Sequence, residues 1–166
     1  MKNNTARELL VVGLRNAHAM ERQAEQLMQR QIERTDDYPD VKAKLSQHLK
    51  ETEEQTARIE ECLQKLDVSR SMIKDTAMAT VANFAAMGHA LASDEILKNT
   101  LANNAFENYE IAAYKSLIAL ADRAGVAITQ ILTRSLREEE HMAAWVDSQV
   151  EKVTLEFLKH EEREAA

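Results

Sequence analysis

Proline occurs once, at Pro39, and glycine only at Gly13, Gly88 and Gly125. The stretches 40–87, 89–124 and 126–166 are therefore free of both. A chain with so few breakers favours long helices joined by few turns. Aromatic residues are only 4% of the 166, and β-branched residues rarely cluster, so strands are disfavoured. An all-α fold follows. With 45% hydrophobic residues, this length sustains one real core, and residues 1–166 read as a single domain.

Turn signals divide the chain. A first helix is predicted from Thr5 to Arg34, ending at Thr35-Asp-Asp-Tyr-Pro-Asp, where Pro39 suits the first position of the next helix. The second reaches Leu66 and is broken by Asp67-Val-Ser-Arg-Ser. A shorter Met- and Ala-rich helix is expected over Met72–Met87, ending at Gly88. Ser93 and Asp94 can cap a third long helix to Ala121, and Asp122-Arg-Ala-Gly125 breaks it. A fourth runs at least to Val150, and the charged end 159–166 is expected to fray or be solvated. Two tight hairpins with a long middle connection match the crossover of a ferritin-like four-helix bundle, with the extra short helix in the crossover.

The formal net charge of −7 disfavours a nucleic-acid or anionic-membrane surface. No apolar run approaches the roughly 20 residues of a membrane span. A lone cysteine, Cys62, cannot form an internal disulfide. The opening MKNNTARELL lacks the apolar segment of a signal peptide. These features point to a cytoplasmic protein.

Advancing about 100° per residue locates each apolar stripe. In the first helix Leu10, Leu14, Ala17, Ala24, Met28 and Ile32 share a face, with Glu21 in its middle. In the second, Val41, Leu45, Ile59, Cys62 and Leu66 surround His48 and Gln55, with Glu51 at the edge. In the third, Glu107 and Glu110 share a face with Ile111, Tyr114, Leu117 and Ile118. In the fourth, Ile128, Leu132, Leu136, Ala143, Val146 and Val150 centre close to Glu139, with Glu138 second. Glu138-Glu-Glu-His141 has E-x-x-H spacing, but His141 points almost to the opposite side.

Residues equally far from an antiparallel turn sit at one level. Glu21 and Glu51, and likewise Glu107 and Glu139, are each about 15–16 residues from their turn, roughly 22–24 Å. Five carboxylates gathered in a core would be costly unless cations met them. Two divalent ions would neutralise most of that charge, and His48 adds an imidazole. Oxygen-rich ligands with one histidine suit iron or manganese, and the absence of thiolates disfavours structural zinc. Tyr114 is placed to donate to a ligating carboxylate. Arg58, Arg22 and Arg15 lie close enough in sequence to offer the acids a different partner.

Asn16-Ala-His-Ala-Met-Glu-Arg-Gln-Ala-Glu25, His48-Leu-Lys-Glu-Thr-x-x-Gln55, Phe106-Glu-Asn-Tyr-Glu-Ile-Ala-Ala-Tyr114 and Leu136-Arg-Glu-Glu139 resemble the YciE/YciF family of ferritin-like proteins. Asp37-Tyr-Pro and Val68-Ser-Arg-Ser-x-Ile-Lys-Asp75 are closest to its YciE branch. The resemblance implies a ferritin-like fold with added helices, a homodimer, bacterial stress-linked expression and a metal site. It places Glu21, His48, Glu51, Glu107, Glu110 and the Glu138-Glu139 pair on the family's motif positions. In the second helix His48 precedes its glutamate by three residues, where ferritin-like enzymes usually have histidine three after; Glu54 stands there. The expected function is a metal-binding bundle with a dinuclear iron or manganese site, open to reaction with dioxygen or peroxide. The alternative is a non-enzymatic stress-induced dimer whose acids pair with arginines.

Overall fold

The structure of the protein, a computed structural model that describes residues 2–68 and 94–165, contains four helices among those residues. They are α1 (Lys2–Ile32), α2 (Pro39–Gln64), α3 (Glu95–Ala124) and α4 (Thr129–Glu164). There is no strand among the described residues. The helix expected over Met72–Met87 lies outside them.

Local chemistry explains where the helices start and stop. Pro39 opens α2, where its missing N–H is one that a first turn leaves unpaired anyway. Asp67 takes the left-handed conformation (φ 61°) after α2. Its N–H bonds the Gln64 carbonyl at 3.0 Å, and the Val68 N–H bonds that of Leu63 at 3.1 Å. Gly125 (φ 68°) does the same after α3, with Val126 N–H on the Ala121 carbonyl at 3.0 Å. Both are Schellman endings, which satisfy otherwise orphaned carbonyls. Asp122-Arg-Ala is thus the last turn of α3 rather than a break, because only Gly125 leaves the helical region. At the C-terminal end α4 continues through Glu164, beyond the minimum read from the sequence; residues 161–165 are exposed, and the His160 ring stacks on Tyr38 at 5.7 Å.

Cross-helix pairs fix the topology. His18–Glu60 and Glu25–Thr56 join α1 to α2; Lys115–Glu140 and Asp122–Thr129 join α3 to α4. Gln31–Asn103 and Glu21–Tyr114 join α1 to α3, and Gln55–Glu138 and Asp40–Lys152 join α2 to α4. In every neighbouring pair one number rises as the other falls, so neighbours are antiparallel and α2 runs parallel to α3. Leu66 meets Arg7 near the start of α1, whereas Glu95 meets Arg34 just past its end. Those points are roughly 40 Å apart along the helix. The end of α2 and the start of α3 therefore lie at opposite ends of the bundle, as two hairpins joined by a crossover require.

The core has two apolar parts. Leu10, Leu14, Ile59, Leu63, Tyr114, Leu117 and Leu132 belong to the larger, and Ala24, Met28, Leu45, Met142 and Val146 form the smaller. Gly13 lets α1 and α3 approach, since a Cβ there would stand 2.8 Å from Leu117 Cδ2. On each helix the residues between the two parts are polar, and there the site lies.

Candidate metal centre

Each helix sends at least one chemically active side chain into this belt. Glu21 comes from α1, His48 and Gln55 from α2, Glu107 and Glu110 from α3, and Glu139 from α4. Glu21, Gln55 and Glu139 are 0% exposed, His48 and Glu110 1%, and Glu107 5%. The helical period brings them there: Leu45, His48, Thr52, Gln55 and Ile59 occupy one buried face at spacings of three and four. Thr52 satisfies itself on the His48 carbonyl at 3.0 Å.

His48 is the hinge of the arrangement. Its Nδ1 lies 3.0 Å from Glu51 Oε2. Its Nε2 lies 3.3 Å from Glu107 Oε2 and 3.5 Å from Glu139 Oε2. One ligand atom from each of His48, Glu107 and Glu139 falls within 4.8 Å of the others, a group that could hold a metal ion. The charge of Glu139 acts on Glu107, Glu110 and Glu21 alike. It is the carboxylate common to both sides of the cluster. On the far side the Tyr114 hydroxyl donates to Glu21 Oε1 at 2.5 Å, and Ser135 hydrogen-bonds the same hydroxyl.

The electrostatics are those of crowded acids short of cations. Burial, then the charge of Glu139, pushes Glu21 well above the usual carboxylate range. Glu110 rises for the same two reasons, and burial lifts Glu107 to about 7. Burial also opposes charge on His48, but Glu107, Glu139 and Glu51 outweigh it and raise the imidazole to about 12. In Glu139 burial is outweighed chiefly by His48, so it sits below its ordinary value. One imidazolium does not answer four buried carboxyls. Glu21 Oε2, Glu107 Oε2, Glu110 Oε1 and both oxygens of Glu139 are buried without a hydrogen-bond partner. Native proteins leave few such atoms, and a cation held here would meet them. The donor set of carboxylate oxygens and one imidazole fits iron or manganese.

Not every candidate enters the belt. Glu51 stands at its edge, its side chain 29% exposed, holding the outer nitrogen of His48. Glu51 lies off the face of α2 that carries Leu45, His48, Thr52 and Gln55 inward, and the α1–α2 register adds an offset in depth. His18 opposite Glu60 and Glu25 opposite Thr56 put Glu51 nearer the hairpin turn than Glu21, so equal distance along the chain does not give equal depth. Glu138 turns to Arg58 (2.6 Å) and Gln55 (3.1 Å), leaving Glu139 as the inner member of the pair. His141 and Glu54 are exposed, the latter paired with Arg134 at 2.8 Å. His18 flanks the site, on Glu60 at 3.1 Å. Arg58 goes to Glu138 and Ser135 and Arg22 to Glu25, while the Nε of Arg15 is buried without a hydrogen-bond partner. None pairs with Glu21, Glu107, Glu110 or Glu139 among the described residues. Ser135, buried at 1% beneath Tyr114 and Arg58, escaped the sequence reading. Its spacing from Leu132 and Glu139 carries the period, but a lone serine gives no chemical signal.

No helix among the described residues is long and apolar enough to cross a membrane. The fold recurs in solved structures. A protein from Xanthomonas campestris pv. campestris is 32% identical, with a TM-score of 0.80, over 95% of this chain and 99% of its own. YcfI from Rhodopseudomonas palustris, described there as a candidate structural protein, is 27% identical, with a TM-score of 0.68, over 86% of this chain and 92% of its own. Residues 5–159 match the sequence family named Domain of unknown function (DUF892), and the chain belongs to that family.

Proposed function

We propose that this protein is a ferritin-like metal-binding protein with a dinuclear iron or manganese centre in the bundle core. One observation carries the reading: five oxygens of Glu21, Glu107, Glu110 and Glu139 are buried without hydrogen-bond partners, and two of them, on Glu107 and Glu139, lie 3.3 and 3.5 Å from the Nε2 of His48. His48, Glu107 and Glu139 would hold one ion; Glu139, Glu110 and Glu21 would hold the second. Bound iron or manganese would supply one-electron chemistry toward dioxygen or peroxide. The chain's own contribution is positional. Glu51 fixes the His48 ring by its outer nitrogen, as carboxylates commonly do behind metal-bound histidines. Tyr114 holds one oxygen of Glu21 and leaves the other free.

The motifs quoted above support placing the chain in the YciE branch, as a stress-linked cytoplasmic homodimer. The competing structural-module reading needs arginines on the acids, and Arg58 and Arg22 are engaged elsewhere. Metal analysis after loading with Fe(II) or Mn(II) is the test. Two ions per chain, lost in Glu107→Ala and Glu139→Ala, are expected. No bound metal at saturation would end the proposal.

A further inference from the structure

An apolar cavity of about 70 Å³ adjoins the acid belt. It lies between α1 and α3, walled by Ala24, Leu27, Met28, Leu45, Ala102 and Phe106. Glu107, whose Oε2 is a buried oxygen without a hydrogen-bond partner, forms part of its lining. Gln31, Asn99 and Asn103 line it as well, and all three are partly exposed. Gln31 and Asn103 bond each other twice, amide to amide, at 3.0 and 2.9 Å. Their polar groups are thus spent on one another, and the walls between them and Glu107 are hydrocarbon.

From this we propose that the cavity is a binding pocket for dioxygen, delivering it to the Glu107 side of the centre. Size and polarity select that occupant. A water molecule occupies about 30 Å³ in the liquid and needs two to four polar partners to stay in a cavity. Here Glu107 is the one carboxyl in the wall and the Gln31 and Asn103 amides are engaged with each other, so the part walled by Ala24, Leu27, Met28, Leu45, Ala102 and Phe106 offers water few partners. A charged or sugar-sized substrate would lose its hydration without replacement. A small uncharged diatomic fits the volume and gives up little on leaving water. The inference rests on the metal reading for the destination of the gas, not for the pocket.

Dioxygen is paramagnetic, so its residence can be read directly in metal-free protein. With methionine methyls labelled in ¹³C, relaxation under dioxygen pressure should be enhanced several-fold more at Met28 than at Met20, which is equally buried in the larger apolar cluster but away from the cavity. Ala102→Leu fills the cavity and should bring Met28 down to the Met20 level. Leu27→Phe, at a partly exposed wall position, does the same should the first variant fold poorly. Equal enhancement at Met28 and Met20, or a Met28 response indifferent to both variants, overturns the pocket. Metal content is measured separately on the same protein. Bound metal without a Met28 response sinks the pocket alone, and a Met28 response without bound metal upholds the pocket while sinking the centre.

Discussion

Glu51 Oε2 lies 3.0 Å from Nδ1 of His48, on the side of the ring away from Glu107 and Glu139. The imidazole is thereby held with Nε2 toward the acids. His48 draws Glu51 down to about 2, so Glu51 is an anion at any ordinary pH.

This relationship separates an orienting carboxylate from a ligand. Glu51→Gln keeps the size but not the charge, and removing such a partner typically costs about 10–100-fold in metal affinity. Competition titration with a chelator should show that loss while both ions still bind. A Glu51→Gln protein as empty as Glu107→Ala would make Glu51 a direct ligand. An unchanged affinity would remove it from the site.

Metal-free protein should lose stability as pH rises. Glu107 has a folded value of about 7 against an ordinary 4.5, so between those values the native state holds a proton that the unfolded state has released. Stability then falls with increasing pH, by on the order of 3 kcal/mol at most. His48, raised from 6.5 to about 12, acts in the same direction. Its contribution is full below 6.5 and declines above it. Glu51 works oppositely: lowered to about 2, its contribution is present above 4.5 and is lost toward 2. Thermal melts of the metal-free protein should therefore show a lower Tm at pH 8 than at pH 5. Metal binding competes with protons for the same atoms, so metal affinity should rise over that interval. A metal-free Tm that climbs from pH 5 to pH 8 would contradict the charge crowding.

Much of this site was readable from the chain. The inward directions of Glu21, His48, Glu107, Glu110 and Glu139 follow from the helical period, because a side chain's face depends only on its spacing from apolar neighbours. Depth was less legible. Counting from the turn placed Glu51 level with Glu21, but hairpin register is set by packing across the pair, and the observed partners are offset by several residues. Which atom meets which was not legible at all. Nothing in the order of residues says that Arg58 reaches across to Glu138 while Glu139 is left to the core. Helix ends gave a similar lesson, since Asp122 could equally cap, break or continue α3 until Gly125 fixed the outcome.

Tyr114→Phe should report on the far side of the cluster. The phenol is completely buried, donates to Glu21 and is bonded by Ser135. Its removal leaves a second Glu21 oxygen and the Ser135 hydroxyl with one partner fewer, at a cost of about 1–3 kcal/mol. Denaturant unfolding of metal-free protein measures this. Stability equal to wild type would mean that water replaces the hydroxyl and that Tyr114 does not position Glu21.

Asp67 offers a test away from the site. A side chain in the left-handed region costs roughly 1–2 kcal/mol, less for Asp than for most residues, and glycine avoids it. Asp67→Gly gives up only an exposed contact with Arg7 at 3.8 Å. After the added freedom of the unfolded chain is subtracted, a gain of about 0.5–1 kcal/mol remains. A lower Tm for Asp67→Gly would show that Asp67 stabilises the end of α2 by more than its backbone shape.

Glu138 and Glu139 are adjacent, chemically identical and differently employed, which makes them the sharpest pair to separate. Glu138 is 18% exposed in its side chain and carries the Arg58 guanidinium, with Arg134 at 3.2 Å on its other oxygen. Glu139 is fully buried, neither oxygen has a hydrogen-bond partner, and Oε2 lies 3.5 Å from His48 Nε2. Glu138→Gln should retain both metal ions and lose about 1–3 kcal/mol of stability, because the largely buried Arg58 keeps only Glu54, at 3.8 Å, as a counter-charge. Glu139→Gln should lose metal, and metal-free it should also melt lower than wild type, because His48 favours the ionised form of Glu139 and would lose one of the carboxylates that hold its charge. Metal content is therefore the readout that separates the two variants. Comparable metal loss in both would mean that Glu138 swings inward when an ion binds, and the division of labour between them would have to be given up.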